Sequence, residues 1–293
     1  MYMGKVISIM NFKGGVGKTV TAINMACILW TCGKKVLLVD CDPQASVTLQ
    51  LKNTDFSKGT LTEWLSTYMV PSGKCTLPCQ DVQAPIYQYF DGLDIIPSNE
   101  PLSSISSQIE INYLRFGCLD RSFPAKCLKV RIDSVRDNYD YIILDCPPSP
   151  GFINDSILFA ADTIYTPIQC SGETSDGVSR IWEKTRIYNE YGFNKDLKLS
   201  AVLLVMYAPN QTITKDTIEV LRQNNIRISD YNIRQDMNVK VGNVDHPCVV
   251  IFNPNARASK DYINFVTHEF GVKLPTNWQQ KLKIAYMSKD PQA

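Results

Sequence analysis

Between residues 13 and 19 the chain reads Lys13-Gly14-Gly15-Val16-Gly17-Lys18-Thr19, three glycines set among two lysines and a hydroxyl. Small residues let successive backbone N–H groups turn toward a phosphate chain, and a helix that begins there adds the positive end of its dipole. Lys18 is then placed to reach the β- and γ-phosphates, and the Thr19 hydroxyl to ligate Mg²⁺. The ordinary form of such a loop has glycine at position 12. Here Phe12 stands there, and a second lysine, Lys13, stands beside the loop. Two acidic stretches follow apolar runs: Asp40-Cys41-Asp42-Pro43-Gln44 and Asp145-Cys146-Pro147-Pro148. Taken singly, Lys13 reads as a solvent lysine and Asp42 as a helix or turn cap.

The elements that must position these residues are legible around them. Lys5–Met10 reads as a buried strand and Thr19–Thr31 as a helix, with Ile23, Ala26, Cys27 and Trp30 on one face and Gly33 as its stop. Lys35–Asp40 is a second buried strand, since continuous apolar runs suit strands covered on both faces. A right-handed crossover makes the two parallel. Further strands are expected at Leu93–Ile96, Tyr141–Asp145, Thr163–Ile168, Leu199–Met206 and Val249–Phe252, mostly separated by helical patterns. The fold class this predicts is α/β, a doubly wound, mostly parallel sheet with helices on both faces. Residues 52–92, rich in Ser, Thr, Pro and Gly, read as a surface excursion with a short helix near Leu61–Tyr68.

Composition narrows the class of protein. Hydrophobic residues make up 44% and charged residues 20% of 293 positions, ordinary for a globular chain able to bury a sizeable core. No apolar stretch approaches the roughly 20 residues a membrane span needs, and the first residues lack a signal-peptide layout, so a cytoplasmic address is expected. The ten cysteines are read as buried thiols rather than a disulfide framework. Cys75-x-x-x-Cys79 and His246-Pro247-Cys248 do not complete a four-ligand zinc set. Residues 1–179 carry 14 lysines and arginines against 18 carboxylates, and residues 180–293 carry 16 against 11, an asymmetry that points weakly to a polyanionic partner.

Three spaced motifs resemble the ParA/Soj/MinD family of deviant P-loop ATPases: Lys13 to Thr19, Asp40 to Gln44, and Ile142-Ile143-Leu144-Asp145-Cys146-Pro147-Pro148. Weaker matches are Ala160-Ala161-Asp162 before a strand ending in Pro167, and Ile233-Arg234-Gln235. The resemblance spans about residues 4–270 and implies a P-loop ATPase domain over 1–272 with 273–293 as a C-terminal appendage. It implies ATP and Mg²⁺ as cofactors, held by Lys13, Gly14, Gly15, Val16, Gly17, Lys18, Thr19 and Val20. In the catalytic set, Lys13 is similar to the family's signature lysine, which crosses a dimer interface to the partner's phosphates. Asp42 matches the residue that positions the attacking water, and Asp145 the carboxylate holding the Mg²⁺ shell; Thr19, Asp42 and Asp145 are thus the metal-side candidates. The Pro147–Gly151 turn would move with the γ-phosphate.

Asp-Pro-Gln after the second strand resembles the ParA/Soj branch. That implies a partition or positioning ATPase, active as an ATP-dependent sandwich homodimer on non-specific DNA and stimulated by a ParB-like or other cargo adaptor. Its location would be cytoplasmic, on the nucleoid. The DNA candidates are Lys215, Arg222, Arg227, Arg234 and Lys240, although Asn210 and Asn238 stand where relatives often place basic residues. The large partition ATPases' N-terminal operator-binding region is not expected. The first alternative is a MinD-like membrane-associated ATPase. Trp278, Leu282, Ala285 and Tyr286, with Lys281 and Lys283 nearby, have the spacing of an amphipathic helix, but Pro275 and Pro291 bracket the segment and packing on the protein's own surface is expected. The second is an iron–sulfur reductase-type protein, with Cys146 and either Cys118 or Cys127 as ligands; it lacks that branch's glycine-rich surroundings, and Gln44 disagrees.

Overall fold

A computed structural model describes residues 3–51, 56–66, 83–109, 123–170, 174–239 and 248–289. Strand β1 (Lys5–Ile9) leads through the glycine loop into helix α1 (Lys18–Thr31), and the chain returns as β2 (Val36–Asp40). Short helices α2 (Ser46–Gln50) and α3 (Leu61–Ser66) precede a hairpin of β3 (Tyr87–Phe90) and β4 (Leu93–Ile96). Then come α4 (Phe123–Val135), β5 (Tyr141–Asp145), α5 (Phe152–Ala160), β6 (Thr163–Gln169), α6 (Thr174–Glu190) and β7 (Lys198–Tyr207). The chain continues through α7 (Thr212–Gln223), β8 (Ile233–Arg234), α8 (Val249–Phe252), α9 (Arg257–Phe270) and α10 (Trp278–Lys289).

The strands form one sheet in the order β3-β4-β2-β5-β1-β6-β7-β8, parallel except for β3 against β4. The order reverses about β1, so its C-terminal end opens at a topological switch point, where open α/β sheets bind ligands. Register lines up the ends that matter: Asp145 lies opposite Ile9 on one side and Asp40 on the other. One face of the sheet is covered by α1 and α9, with α10 packed against α1; the other carries α4 and α5. Helix α1 is apolar on nearly every side, with Ala22, Ile23, Met25, Ala26, Ile28 and Leu29 at most 1% exposed. A helix of that pattern holds only where it is enclosed, as it is here.

Two expectations change. Val249–Phe252, read as a strand, is a helical turn. The sheet edge beside β7 is taken by Ile233–Arg234, while Val250 N–H and the Cys248 thiol donate to the Asn24 side-chain carbonyl of α1. Tertiary hydrogen bonds to a buried helix thereby override the strand preference of Val-Val-Ile-Phe. Within the supposed surface excursion, Leu61, Trp64, Leu65, Tyr87, Tyr89 and Phe90 are buried. Thr60 and Glu63 cap α3, with Thr60 N–H donating to the Glu63 carboxylate at 2.8 Å. Residues 67 and 68 of the expected short helix lie outside the described residues. Packing of the 278–286 segment on the protein's own surface is as expected: it forms α10, whose Trp278, Leu282, Ala285 and Tyr286 pack against the α1 side of the core. The Lys281 ammonium donates to the Trp30 carbonyl at 3.1 Å and lies 4.4 Å from the Trp30 ring centroid, satisfying the C-terminal end of α1.

Candidate nucleotide-binding site

The loop between β1 and α1 is anchored at its entrance by Asn11. Its amide donates to the Pro167 carbonyl of β6 at 2.8 Å, and its side-chain oxygen accepts the Lys13 N–H at 2.9 Å. Gly15 and Gly17 take φ of 73° and 75°, a left-handed backbone that glycine adopts without strain. Gly14 and Gly15 are exposed, and a Cβ built on either would meet nothing within 4 Å. Lys18, the first residue of α1, is 7% exposed, and its ammonium donates to the Lys13 carbonyl at 3.0 Å. Burial pushes the Lys18 ammonium below its usual range, against the opposing pull of Asp145, Cys146 and Asp42. Anionic oxygens placed in the loop would restore its preference for the charged form.

Asp145 supplies the other half of the site. Its Oδ2 accepts the Thr19 hydroxyl at 2.8 Å, whereas Oδ1 is buried without a hydrogen-bond partner. Burial, reinforced by Asp40, pushes this carboxyl well above the usual range. An orphaned carboxylate oxygen beside a threonine hydroxyl is the donor chemistry that suits Mg²⁺, which takes one or two carboxylates plus phosphates and keeps several waters. The residues present therefore fit the metal expected from the sequence.

Asp42 is 8% exposed. Its Oδ1 accepts the Gln44 N–H at 2.9 Å, a turn-capping bond that fixes where its carboxylate points. The sequence reading missed what holds Asp42 itself. Asp40, fully buried, accepts the Asp42 N–H at 3.2 Å, the Thr48 N–H at 2.9 Å and the Thr48 hydroxyl at 2.7 Å. Thr48 in turn accepts the Ser98 N–H at 3.0 Å. Burial pushes the Asp40 carboxyl up to about 6, with the Thr48 and Asp42 bonds opposing the rise. The Pro147–Gly151 turn is held by Asn154, whose amide donates to the Pro147 and Ser149 carbonyls.

A crevice of about 410 Å³ runs past the glycine loop and Asp42. Gly14, Gly15, Gly17, Lys18, Thr19, Val20 and Asp42 line it, as the sequence led one to expect. Val16 is buried under the loop and Lys13 is exposed outside it, so neither lines the crevice. Its far end is built from strand ends remote in sequence: Gln169, Val205, Met206, Gln235, Asp236 and Met237. Met206 has φ of 52° at a register shift between β7 and β8, which turns the backbone at the crevice wall. Only the Ile233-Arg234-Gln235 motif signalled this end in the sequence.

The five basic candidates divide. Lys215 and Arg222 are exposed on α7. Arg227 makes two bonds to Glu269 at 2.8 and 3.0 Å, and Arg234 two to Asp261 at 2.6 and 2.9 Å. Those guanidinium groups are engaged within the fold. Lys240 lies outside the described residues, as do Cys75, Cys79, His246 and Cys118. Cys127 and Cys146 are buried in the α4–α5 side of the core, where burial pushes both thiols up.

Comparison with known proteins agrees with this geometry. A family model described as an AAA domain matches residues 4–199. The chain is 29% identical over 266 residues to the sporulation initiation inhibitor protein Soj of Bacillus subtilis, covering 89% of this chain and 96% of that one. It is 30% identical over 220 residues to the chromosome partitioning protein ParA of Caulobacter vibrioides, covering 74% and 75%. Among solved structures, an ATP complex of Cyanothece McdA superposes with a TM-score of 0.76 at 21% identity, over 93% of this chain and 98% of that one.

Proposed function

Because the chain belongs to the ParA/Soj family of P-loop ATPases, we propose that it is a partition or positioning ATPase that binds Mg-ATP at the β1–α1 loop and hydrolyses it as a sandwich homodimer. The observation that carries the reading is buried Lys18 and buried Asp145 beside half-buried Thr19 at the glycine loop, with the Thr19 hydroxyl bonded to one Asp145 oxygen and the other oxygen unpartnered. Backbone N–H groups of residues 14–19 and the Lys18 ammonium hold the phosphates, and Thr19 with Asp145 holds the Mg²⁺ shell. Bound Mg²⁺ supplies charge neutralisation at the β- and γ-oxygens. The far end of the crevice, between Met206 and Gln235–Met237, takes the base. Asp42, fixed by Asp40 and Gln44 N–H, orients water toward the γ-phosphate. Lys13 serves a second subunit's phosphates rather than its own, a role supported by its exposure and its absence from the lining of its own crevice. The test is Mg²⁺-dependent ATP hydrolysis by the purified chain, together with ATP-dependent doubling of mass in light scattering. A chain that stays monomeric with ATP refutes the sandwich.

A MinD-like membrane role is less well supported. The apolar residues that would enter a bilayer, Trp278, Leu282, Ala285 and Tyr286, are spent on the protein's own core. No helix among the described residues is long and apolar enough to cross a membrane. A cytoplasmic, nucleoid-associated protein with an adaptor on its cargo is the reading the family supports.

Non-specific DNA binding then falls to side chains not already committed. Arg227 and Arg234 cover carboxylates that are 7% and 8% exposed, and removing either leaves a buried charge unpaired, a structural lesion. Lys215 and Arg222 are the informative pair. Lys215→Glu with Arg222→Glu is expected to weaken binding of unrelated duplexes by at least about tenfold and to flatten its salt dependence, with ATP-driven dimerisation unchanged. Undiminished mobility shifts by this variant across a salt series would place the DNA elsewhere on the molecule.

A further inference from the structure

Residues 248–289 have a one-sided charge pattern. They hold Arg257, Lys260, Lys273, Lys281, Lys283 and Lys289, against two carboxylates, Asp261 and Glu269. Both carboxylates are drawn inward under arginines from elsewhere in the chain, Asp261 under Arg234 at 2.6 Å and Glu269 under Arg227 at 2.8 Å. Among the described side chains of this stretch, Arg257, Lys260, Lys273 and Lys283 are exposed and no carboxylate is.

The same stretch contains an apolar groove of about 660 Å³ between α8 and α10. Val250, Phe252, Leu282, Tyr286 and Met287 line it, with Lys283 in its wall. Helix α10 uses one face on the core, yet Ile284 and Met287 on the other are 58% and 51% exposed, and Phe252 across the groove is 37% exposed. A cluster of large exposed apolar side chains beside a groove marks an interaction site more often than a solvated surface.

We propose that the α8–α10 groove docks an acidic amphipathic helix of a partner protein. The shape is that of helix-in-groove recognition, in which apolar side chains at i, i+3, i+4 and i+7 fill the groove and the flanking residues set specificity. Charge decides the flanks: Lys283, the one charged side chain lining the groove among the described residues, favours carboxylates on the incoming helix and disfavours a basic one. A nucleic acid has no use for a groove walled by Phe252, Leu282 and Met287, since its contacts to such a surface go to phosphates. A bilayer needs a convex apolar face, and α10 offers outward only Ile284 and Met287, about one helical turn. This surface is separate from the nucleotide crevice, and the proposal stands whether or not the ATPase reading does.

The probe is a fluorescein-labelled synthetic peptide of about 18 residues with leucine at i, i+3, i+4 and i+7 and glutamate elsewhere. Fluorescence anisotropy with the full-length protein should show saturable binding that weakens as salt rises. Lys283→Glu with Met287→Glu should weaken it at least about tenfold, since both side chains are exposed and the lost contacts are one charge pair and one apolar anchor. Lys283→Gln should cause a smaller loss, and a peptide with lysine in place of glutamate should not bind. The double variant should melt at the wild-type temperature; if it does not, Lys283→Gln and the lysine peptide carry the test. Peptide binding that Lys283→Gln and the double variant leave unchanged overturns the proposal. So does stronger binding to phosphatidylglycerol vesicles or to a random duplex that the double variant abolishes.

Discussion

Lys18→Ala is expected to abolish measurable ATP binding. In calorimetry with Mg-ATP, concentrations that saturate the wild type should give no heat of binding. The Lys18 ammonium is the positive side chain that the loop itself encloses: it is 7% exposed and reaches back to the Lys13 carbonyl at 3.0 Å. Charge-assisted bonds to phosphate contribute about 1.5–3 kcal/mol each, and a triphosphate offers more than one. The deletion also acts on Asp145. The Lys18 charge opposes the rise in that carboxyl's pKa, and without it burial and Asp40 push the carboxyl further toward its protonated form. Loss of that charge disfavours the carboxylate form that a Mg²⁺ shell would use, so metal-dependent binding should suffer along with the direct phosphate contact. Thr19→Ala separates the two effects. It removes the hydroxyl that bonds Asp145 at 2.8 Å but leaves Lys18 in place, so Mg²⁺ dependence should suffer more than binding of metal-free nucleotide. Wild-type affinity in Lys18→Ala would mean that nucleotide binds elsewhere.

What could be read in advance follows from how local each signal is. The glycine loop, its flanking strand and helix, and the strands Leu93–Ile96 and Tyr141–Asp145 were legible because periodicity and turn residues act over a few positions. The β3 strand was not read, though the Asp91-Gly92 turn with φ of 88° at Gly92 is a two-residue hairpin signal. The polar composition on its N-terminal side outweighed it. Val249–Phe252 has a strand's composition, and nothing nearby in sequence reveals that Asn24, more than 220 positions away, binds the Val250 N–H. The far end of the crevice was illegible for the same reason. Gln169, Met206 and Met237 come from separate strand ends and share no spacing. Asp40 is the intermediate case. The Asp-x-Asp pattern is visible, but its partner Thr48 lies 8 positions on in α2, and Ser98, 58 positions on, joins them only once β4 pairs with β2.

Lys13→Ala and Asp42→Ala are expected to fail at different steps, and their difference tests the dimer mechanism more sharply than either alone. Lys13 is exposed and does not line the crevice of its own subunit, so its loss should leave monomer affinity for ATP within a few-fold of wild type. If its ammonium completes the partner's site, Lys13→Ala should block dimer closure and reduce hydrolysis at least about a thousandfold, the scale seen for a cationic group supplied across an interface. Asp42 lines the crevice, and its turn is fixed by the Gln44 N–H at 2.9 Å and by Asp40. Removing its carboxylate leaves every proposed phosphate contact intact and removes only the group that aims water. Asp42→Ala should therefore accumulate as an ATP-loaded dimer with hydrolysis abolished. Asp42→Asn, which keeps the turn-capping oxygen, should share the catalytic defect and so exclude a collapsed turn as its cause. Light scattering with ATP reads the outcome: Asp42→Ala and Asp42→Asn should run at twice the monomer mass, Lys13→Ala at the monomer mass. Should Lys13→Ala dimerise and hydrolyse normally, the lysine is a solvent residue, and the charge on the γ-phosphate must be met from within one subunit.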